Sequence, residues 1–418
     1  MFTVIASSWA LFLGMFMLMF ANGLQGTLLG LRGAVEGFSP FEMSIVMSAY
    51  FGGFLFSSRI TPELIRRVGH VRVFAALGSI ISAVLILYPA LTEVWAWTIG
   101  RVAIGFCFCG VYIVAESWLN DSSTNETRGS ALSLYMIVQM AGITLAQYAI
   151  TLGDVSGFIL FIVPSVLVSM AFMPILLSVN PVPAFQATKP MKIPELIAAS
   201  PLASMGMFLL GGVFAAQFGM SAVFGVEAGL SVNQISLMVS TIFLSALVLQ
   251  YPVGWLSDRM DRRILILVLA ALGGVLTLLP LVIRDNYIVI LIAAAGMGGA
   301  SNPLYALLLA YANDYLQKDE MAAASAGFLF INGVGAILGP ILIGWLMGWG
   351  GPQMFWAMVT VLLLGLAAYA GWRMTRRSRT RRNVEEQQPY APILASASPV
   401  ATEMAQEVYA DQDTPPES

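Results

Sequence analysis

Nine polar side chains stand inside otherwise apolar stretches: Asn22, Gln25, Arg101, Tyr112, Gln139, Gln217, Asn302, Tyr305 and Asn332. Their types suit the work of holding a polar solute away from water. An amide or phenol facing lipid is left without a partner, so each must meet a helix, a cavity or a bound molecule. Six of the nine recur as pairs at a near-constant offset. Gln25 matches Gln217 at 192, while Tyr112 matches Tyr305 and Gln139 matches Asn332 at 193. The set is neutral, amide-rich and aromatic, with Arg101 as its one cation, and fits a small polar or amphipathic organic solute. Hydrogen bonding between neighbouring helices is the plainer alternative for each member.

Proton coupling requires a carboxylate inside the membrane whose ionisation can cross the working pH. Glu116 is the first candidate, and Glu36 and Glu227 follow. The alternative for Glu116 is a gate acid that pairs with Arg128 or with the basic cluster at 66–72. Arg32 and Glu36, four apart, are placed to pair with each other. The lone histidine, His70, falls in a charged loop, which excludes an imidazole relay or a His-based zinc site inside the membrane. Cys107 and Cys109 point to nearly opposite sides of a helix and cannot join. Four Met-x-x-x-Met pairs (Met15/Met19, Met43/Met47, Met136/Met140, Met354/Met358) share helix faces, and thioethers suit Cu(I). Methionine is equally a routine core filler. No P-loop occurs, and no cofactor, resident metal or catalytic residue is expected.

The elements that position these groups follow from composition. The chain has 418 residues, 58% hydrophobic and only 10% charged, with a mean hydropathy of +0.82. Those proportions exclude a soluble multidomain enzyme, a disordered chain and a secreted disulfide scaffold. The basic footprint of a nucleic-acid binder is missing. Twelve stretches are long and apolar enough to span, at about 8–31, 41–61, 72–91, 95–119, 129–151, 156–178, 202–226, 234–256, 263–283, 287–311, 323–347 and 353–373. The first has no basic leader region and reads as a retained helix. Of the 20 Lys and Arg residues, all but Arg32, Arg101 and Arg284 fall on one side if both chain ends are cytoplasmic. An N-in, C-in topology follows.

The repeat extends beyond the polar pairs. An offset of 192 lays Glu36-Gly37-Phe38-Ser39 on Ala228-Gly229-Leu230-Ser231, and one of 193 lays Asn120-Asp121 on Asn313-Asp314. The expected organisation is a six-helix bundle over 1–178, a Pro-rich cytoplasmic linker over 179–200, and a second bundle over 201–373. A disordered cytoplasmic tail follows over 374–418, with its arginines at 376–382 against lipid heads. Two like-oriented six-helix halves are the architecture of rocking secondary transporters, with the solute between them. Gly26-x-x-x-Gly30 and Gly335-x-x-x-Gly339 permit close helix approach, and Gly339-Pro340 marks a bend.

Loop residues carry a resemblance. Gly254-Trp255-Leu256-Ser257-Asp258-Arg259-Met260-Asp261-Arg262-Arg263 resembles the G-x-L-x-D-R-x-G-R-R signature of the major facilitator superfamily, with Asp261 where a second glycine is usual. The first-half copy, Pro62 to His70, keeps Leu64, Arg67 and Gly69. Arg101-Val102-Ala103-Ile104-Gly105 resembles the R-x-x-x-G motif of the superfamily's fourth helix. Arg101 then faces a cavity or snorkels to the outer surface. Leu29-Gly30-Leu31-Arg32, Glu36-Gly37-Phe38-Ser39, Glu116-Ser117-Trp118-Leu119-Asn120-Asp121 and Asn125-Glu126-Thr127-Arg128-Gly129 are similar to the YcaD-like branch.

The resemblance covers roughly residues 20–375. It implies an all-α membrane fold and a monomeric multi-pass transporter in a bacterial inner membrane, surrounded by lipid and driven by ions, protons being the expected partner. It implies gating roles for Arg32, Glu36, Arg67, Glu116, Arg128, Asp258 and Arg259. The helix-5 glycine-proline motif of antiporters is missing: Gly142 is followed by Ile-Thr-Leu-Ala and Gln147, which weakens a drug-efflux reading. Two alternatives remain open: a Cu(I) or other metal carrier, and a non-transporting assembly factor or receptor on the same fold.

Overall fold

The computed structural model describes residues 2–177, 191–284 and 286–376, with Tyr390, Ile393, Val400, Ala401 and Met404 beyond them. Its regular elements are all helical. In order they are α1 (Phe2–Val35), α2 (Pro40–Val68), α3 (His70–Leu87), α4 (Val94–Asp121), α5 (Asn125–Ile150), α6 (Ile159–Leu177) and the short α7 (Ile193–Ala199). Then come α8 (Pro201–Ala215), a π turn (Ala216–Met220) and α9 (Ser221–Glu227), which form one continuous rod. The chain continues through α10 (Val232–Ser257), α11 (Arg262–Val282), α12 (Tyr287–Asn313), α13 (Lys318–Gly350) and α14 (Met354–Arg376).

Ten helices among the described residues are long and apolar enough to cross a membrane. Two of the expected crossings fall outside that ten. α2 ends in a charged segment with Arg59, Glu63, Arg66 and Arg67, and the apolar part of α6, Ile159–Pro174, is shorter. Burial is inverted relative to a water-soluble protein. Trp95, Ile99, Leu244, Val282 and Trp349 are exposed, while Gln25, Arg101, Glu116, Gln147 and Gln217 are buried. Lipid rewards that distribution, because apolar side chains need no partner there and polar ones do. The protein is a multi-pass membrane protein.

The same local devices recur in both halves. Gly37 and Gly229 turn the chain at φ 81° and 73°, conformations that side chains other than glycine rarely adopt. Ser39 and Ser231 then cap α2 and α10. The side chains of Glu42 and Gln234 return to accept from the cap N–H groups at 2.8 and 2.9 Å. Helix crossings repeat as well. A Cβ on Gly105 would strike the Tyr50 carbonyl oxygen where α4 crosses α2, and one on Gly298 would strike that of Ile242 where α12 crosses α10. Gly142 packs against the Phe16 carbonyl and Gly335 against that of Phe208, so α1 meets α5 as α8 meets α13.

Between the halves, α2 lies along α13, α5 along α10, and α1 along the π turn and α9. Gly30 sits on Ala222 and Gly344 on Ser44, bringing backbones close at the face opposite the chain termini. Within the first half, Gln147 ties α5 to α1. Its Oε1 accepts from Thr27 Oγ1 at 2.7 Å and its Nε2 donates to the Gly23 carbonyl at 3.1 Å. Gln147 is therefore a cross-helix strut. Gln147→Ala is expected to cost about 0.6–2 kcal/mol, the range of membrane polar contacts, read as a lowered denaturant midpoint of the purified protein.

Three readings of the sequence change here. His70 does not lie in a solvated loop: it opens α3, only 2% exposed, near the Trp118 ring and within electrostatic reach of Asp121. The expected linker contains α7, and its Met191 N–H donates to the Ala323 carbonyl at 2.9 Å. Finally, the described tail residues Tyr390, Ile393, Ala401 and Met404 are buried. Most of the expected tail, and residues 179–190 of the expected linker, lie outside the described residues.

Candidate functional site

A cavity lies between the two halves, lined by side chains of both. Asn22, Gln25, Tyr50, Phe54, Arg101 and Tyr112 reach it from α1, α2 and α4. Phe214, Phe218, Asn302, Leu329 and Asn332 reach it from α8, the π turn, α12 and α13. Most of these positions lie well inside their helices, so the cavity is deep in the bundle.

Polar contacts organise its first-half wall. Arg101, 2% exposed, donates from Nη1 to Gln25 Oε1 at 3.0 Å, and Gln25 Nε2 donates to Asn22 Oδ1 at 3.1 Å. The guanidinium lies 4.7 Å from the centre of the Tyr50 ring, a cation–π contact. Arg101 therefore faces the cavity and does not snorkel outward. Tyr112 donates to the Met19 thioether at 3.2 Å.

The structure gathers six of the nine proposed contact residues: Asn22, Gln25, Arg101, Tyr112, Asn302 and Asn332. The other three are buried outside the lining. Gln217 reaches α12 instead, donating to Ser301 Oγ and to the Met297 carbonyl at 3.3 Å. Tyr305 packs edge-on against Phe214, and Gln139 is enclosed in α5. Asn332 lines the cavity but also donates to the Met207 carbonyl at 2.9 Å, bracing α13 on α8. Sequence reasoning missed Tyr50, Phe54, Phe214 and Phe218. Their signal is aromatic residues four apart, a pattern that any buried helix face shares. Of the paired methionines only Met140 lines the cavity, so no thioether pair meets there.

The gating residues separate into groups. Arg32, buried, pairs with Glu36 at 2.6 Å and also donates to the Val155 and Ser156 carbonyls, clamping the 153–158 loop onto α1. Hydrogen bonds donated by the Ser156 hydroxyl and N–H in that loop hold the exposed Asp154 carboxyl below its usual range. Its contribution is thus present above the ordinary carboxylate value and lost only as pH falls through the lowered one.

Glu116 is buried near the Tyr305 side chain of the other half, and Tyr135 Oη donates to its Oε1 at 3.4 Å. Arg128 stands at the start of α5.

At the face carrying the chain termini, two expected gate arginines prove local. Arg67 pairs with Glu63 on its own helix, and Arg259 stacks on Trp255 while donating to that residue's carbonyl. The buried charge lies three residues further along. Arg262 meets Asp314 at 2.7 Å, Ser257 Oγ at 3.1 Å and the Ala310 carbonyl at 3.2 Å, joining α11 to α12. Asp258 lies 3.8 Å from Arg262 and accepts the Tyr390 N–H at 2.9 Å. Tyr390 occupies a crevice between α5 and α10 that Met136, Gln250 and Gly254 help to line. Helix rotation explains the change: Arg262 opens α11 facing α12, whereas Arg259 precedes it in the exposed turn.

Comparison with known proteins agrees with this architecture. The profile of the Major Facilitator Superfamily matches residues 11–230 and 202–408. The uncharacterized MFS-type transporter YcaD of Salmonella arizonae is 24% identical over 369 residues, covering 86% of this chain and 94% of its own. Its counterpart of the same name in Escherichia fergusonii is 23% identical over 353 residues, covering 83% and 90%. Among solved structures, a mutant of the nucleoside transporter NupG superposes with a TM-score of 0.73 at 15% identity, covering 88% of this chain and 99% of its own. A bacterial homolog of the human lysosomal transporter Spinster, inward-facing and unoccupied, gives 0.67 at 13%, covering 98% and 99%. A variant of the E. coli fucose:proton symporter FucP gives 0.55 at 14%, covering 88% and 99%. At these identities the structures establish the fold, while the profile and the YcaD relatives establish the kinship. The chain belongs to the major facilitator superfamily, in the YcaD-like branch of its transporters.

Proposed function

We propose that the protein is a secondary transporter that carries a small organic solute across a bacterial inner membrane by alternating access, without ATP and without enzymatic chemistry. The observation that carries this reading is the cavity lined by both halves, with amide, phenol and guanidinium groups inside an apolar surround. A polar solute crosses lipid only where protein replaces its hydration, and two bundles that rock about such a cavity offer it to one side at a time. The reading includes twelve crossings with both chain ends cytoplasmic, in the domain organisation 1–178, 179–200, 201–373 and 374–418. It also includes a monomer embedded in lipid. The E. coli fucose:proton symporter on the same fold supports coupling to protons. Glu116 is the proposed carrier, being a buried carboxylate with a phenol as hydrogen-bond partner.

Inverted vesicles containing the protein, supplied with labelled solute pools with and without an imposed proton gradient, test the reading. Flux that depends on the protein and responds to the gradient is expected. Solute binding with no flux would instead favour a receptor or assembly factor. Glu116→Gln is expected to abolish the response to the gradient while solute exchange continues; an undiminished response would return Glu116 to a gate role. Copper transport is disfavoured by the solitary Met140 at the cavity, and Met140→Leu is expected to leave copper accumulation unchanged.

A further inference from the structure

Resting on the cavity's role as the solute site, we infer that the solute is an organic anion and that its carboxylate or similar group neutralises Arg101. Without a solute, the site holds a charge at a cost. Arg101 lines the cavity at 2% exposure, and its ionisable neighbours are the phenols Tyr50 and Tyr88. Among the described residues no carboxylate comes within ion-pair distance of it. The cavity lining likewise holds one guanidinium and no acid. A buried charge without a counter-charge is strongly unfavourable, offset here only by the Gln25 carbonyl oxygen and the Tyr50 ring face.

The other buried cations show what this protein does when an arginine is structural. Arg32 meets Glu36, and Arg262 meets Asp314. Each has its acid built in. Arg101 does not, and its free groups point to the missing partner. Nη1 is engaged by Gln25, whereas Nε is buried with no partner and Nη2 makes no hydrogen bond among the described residues. Nε and Nη2 form one edge of the guanidinium fork, the edge whose two parallel N–H bonds match a carboxylate.

The rest of the lining describes the body of the solute. Phe51, Phe54, Phe218 and Leu329 supply apolar surface, so the anion carries an aromatic or aliphatic portion. Across the cavity, Asn302 Nδ2 is buried without a partner, a donor for a second acceptor such as a hydroxyl or carbonyl oxygen. Neutral amides alone would accept many polar solutes; the unpaired cation selects among them by charge.

Matched acid and amide probes test the assignment on the full-length protein in detergent. Thermal stabilisation is measured with 4-hydroxybenzoate against 4-hydroxybenzamide and 3-phenylpropionate against 3-phenylpropionamide. The carboxylates are expected to stabilise at concentrations roughly tenfold lower than their amides, or lower still, as loss of a charge-assisted bidentate pair implies. Arg101→Gln is expected to remove that preference and Arg101→Lys to retain a weakened one. Equal stabilisation by acid and amide, acid binding that survives in Arg101→Gln, or no stabilisation by either carboxylate would each overturn the inference. If Arg101→Gln yields no folded protein, the acid–amide comparison in the unaltered chain decides. Failure of the transport reading has a different signature: carboxylates bind with the stated preference, yet vesicles show no flux of them.

Discussion

Replacing Arg262 with methionine is expected to lower the unfolding free energy by about 3–5 kcal/mol, the cost of leaving one partner of a buried ion pair uncompensated. The guanidinium is 1% exposed and Asp314 9%, so water cannot take over the acid's solvation when the arginine is gone. The loss also strips a donor from Ser257 Oγ and from the Ala310 carbonyl. The measurement is denaturant unfolding of the purified protein, completed as a double-mutant cycle with Asp314→Leu. The double variant should be much closer to the parent than Arg262→Met, since an apolar pair of similar volume often replaces a buried ion pair at little cost. Arg259→Met, which removes an exposed arginine stacked on Trp255, should cost about 1 kcal/mol or less. A small loss in Arg262→Met, or losses that simply add in the double variant, would show that the pair does not hold α11 to α12.

Gly105→Leu is expected to eliminate folded protein, seen as loss of the monodisperse peak in size-exclusion chromatography, and Gly105→Ala to destabilise it measurably. A Cβ at this position would overlap the Tyr50 carbonyl oxygen and lie 2.7 Å from its carbon, so α2 must move away from α4. Overpacking ordinarily costs about 1–3 kcal/mol, and backbone is the neighbour least able to yield. The displaced residue is also Tyr50, the ring beneath Arg101, so carboxylate binding should weaken along with stability. Gly298→Leu is the matching test at the Ile242 crossing in the second half. Gly365→Ala is the contrast: nothing lies within 4 Å of its Cβ, and alanine should stabilise this exposed helical position by roughly 0.5–1 kcal/mol. Equal behaviour of Gly105→Ala and Gly365→Ala would contradict the close crossing.

The two helix starts show how local information becomes legible. Gly37 with Ser39 and Gly229 with Ser231 are readable as a repeat before any coordinates, because a positive φ and a capping hydroxyl depend on adjacent residues alone. Apolar stretches are readable for a similar reason: crossing hydrocarbon constrains each segment by itself. The glycines that mark the crossings are partly readable, since Gly142 matches Gly335 along the chain, though which carbonyl each touches is not.

Gln25 and Gln217 mark where that legibility ends. They are repeat mates at the same depth, yet one holds Arg101 beside the cavity and the other is turned into α12 against Ser301. The π turn Ala216–Met220, which contains Gln217, has no counterpart in α1. A similar divergence separates Arg259 from Arg262, three residues apart on one loop, of which only the second is buried against an acid. His70 and Asp121 occupy the positions that Arg262 and Asp314 hold in the other half, and the burial of His70 was not legible in the sequence.

From its sequence alone the protein is determined to be a duplicated, lipid-embedded helical chain with polar groups at set depths and a loop signature of its superfamily. The tertiary structure decides which of those groups share one cavity, and that Arg101 stands there without an acid. Depth along a helix is a property of the segment. Rotation about its axis is set by which neighbours it packs against, and only the assembled bundle specifies those.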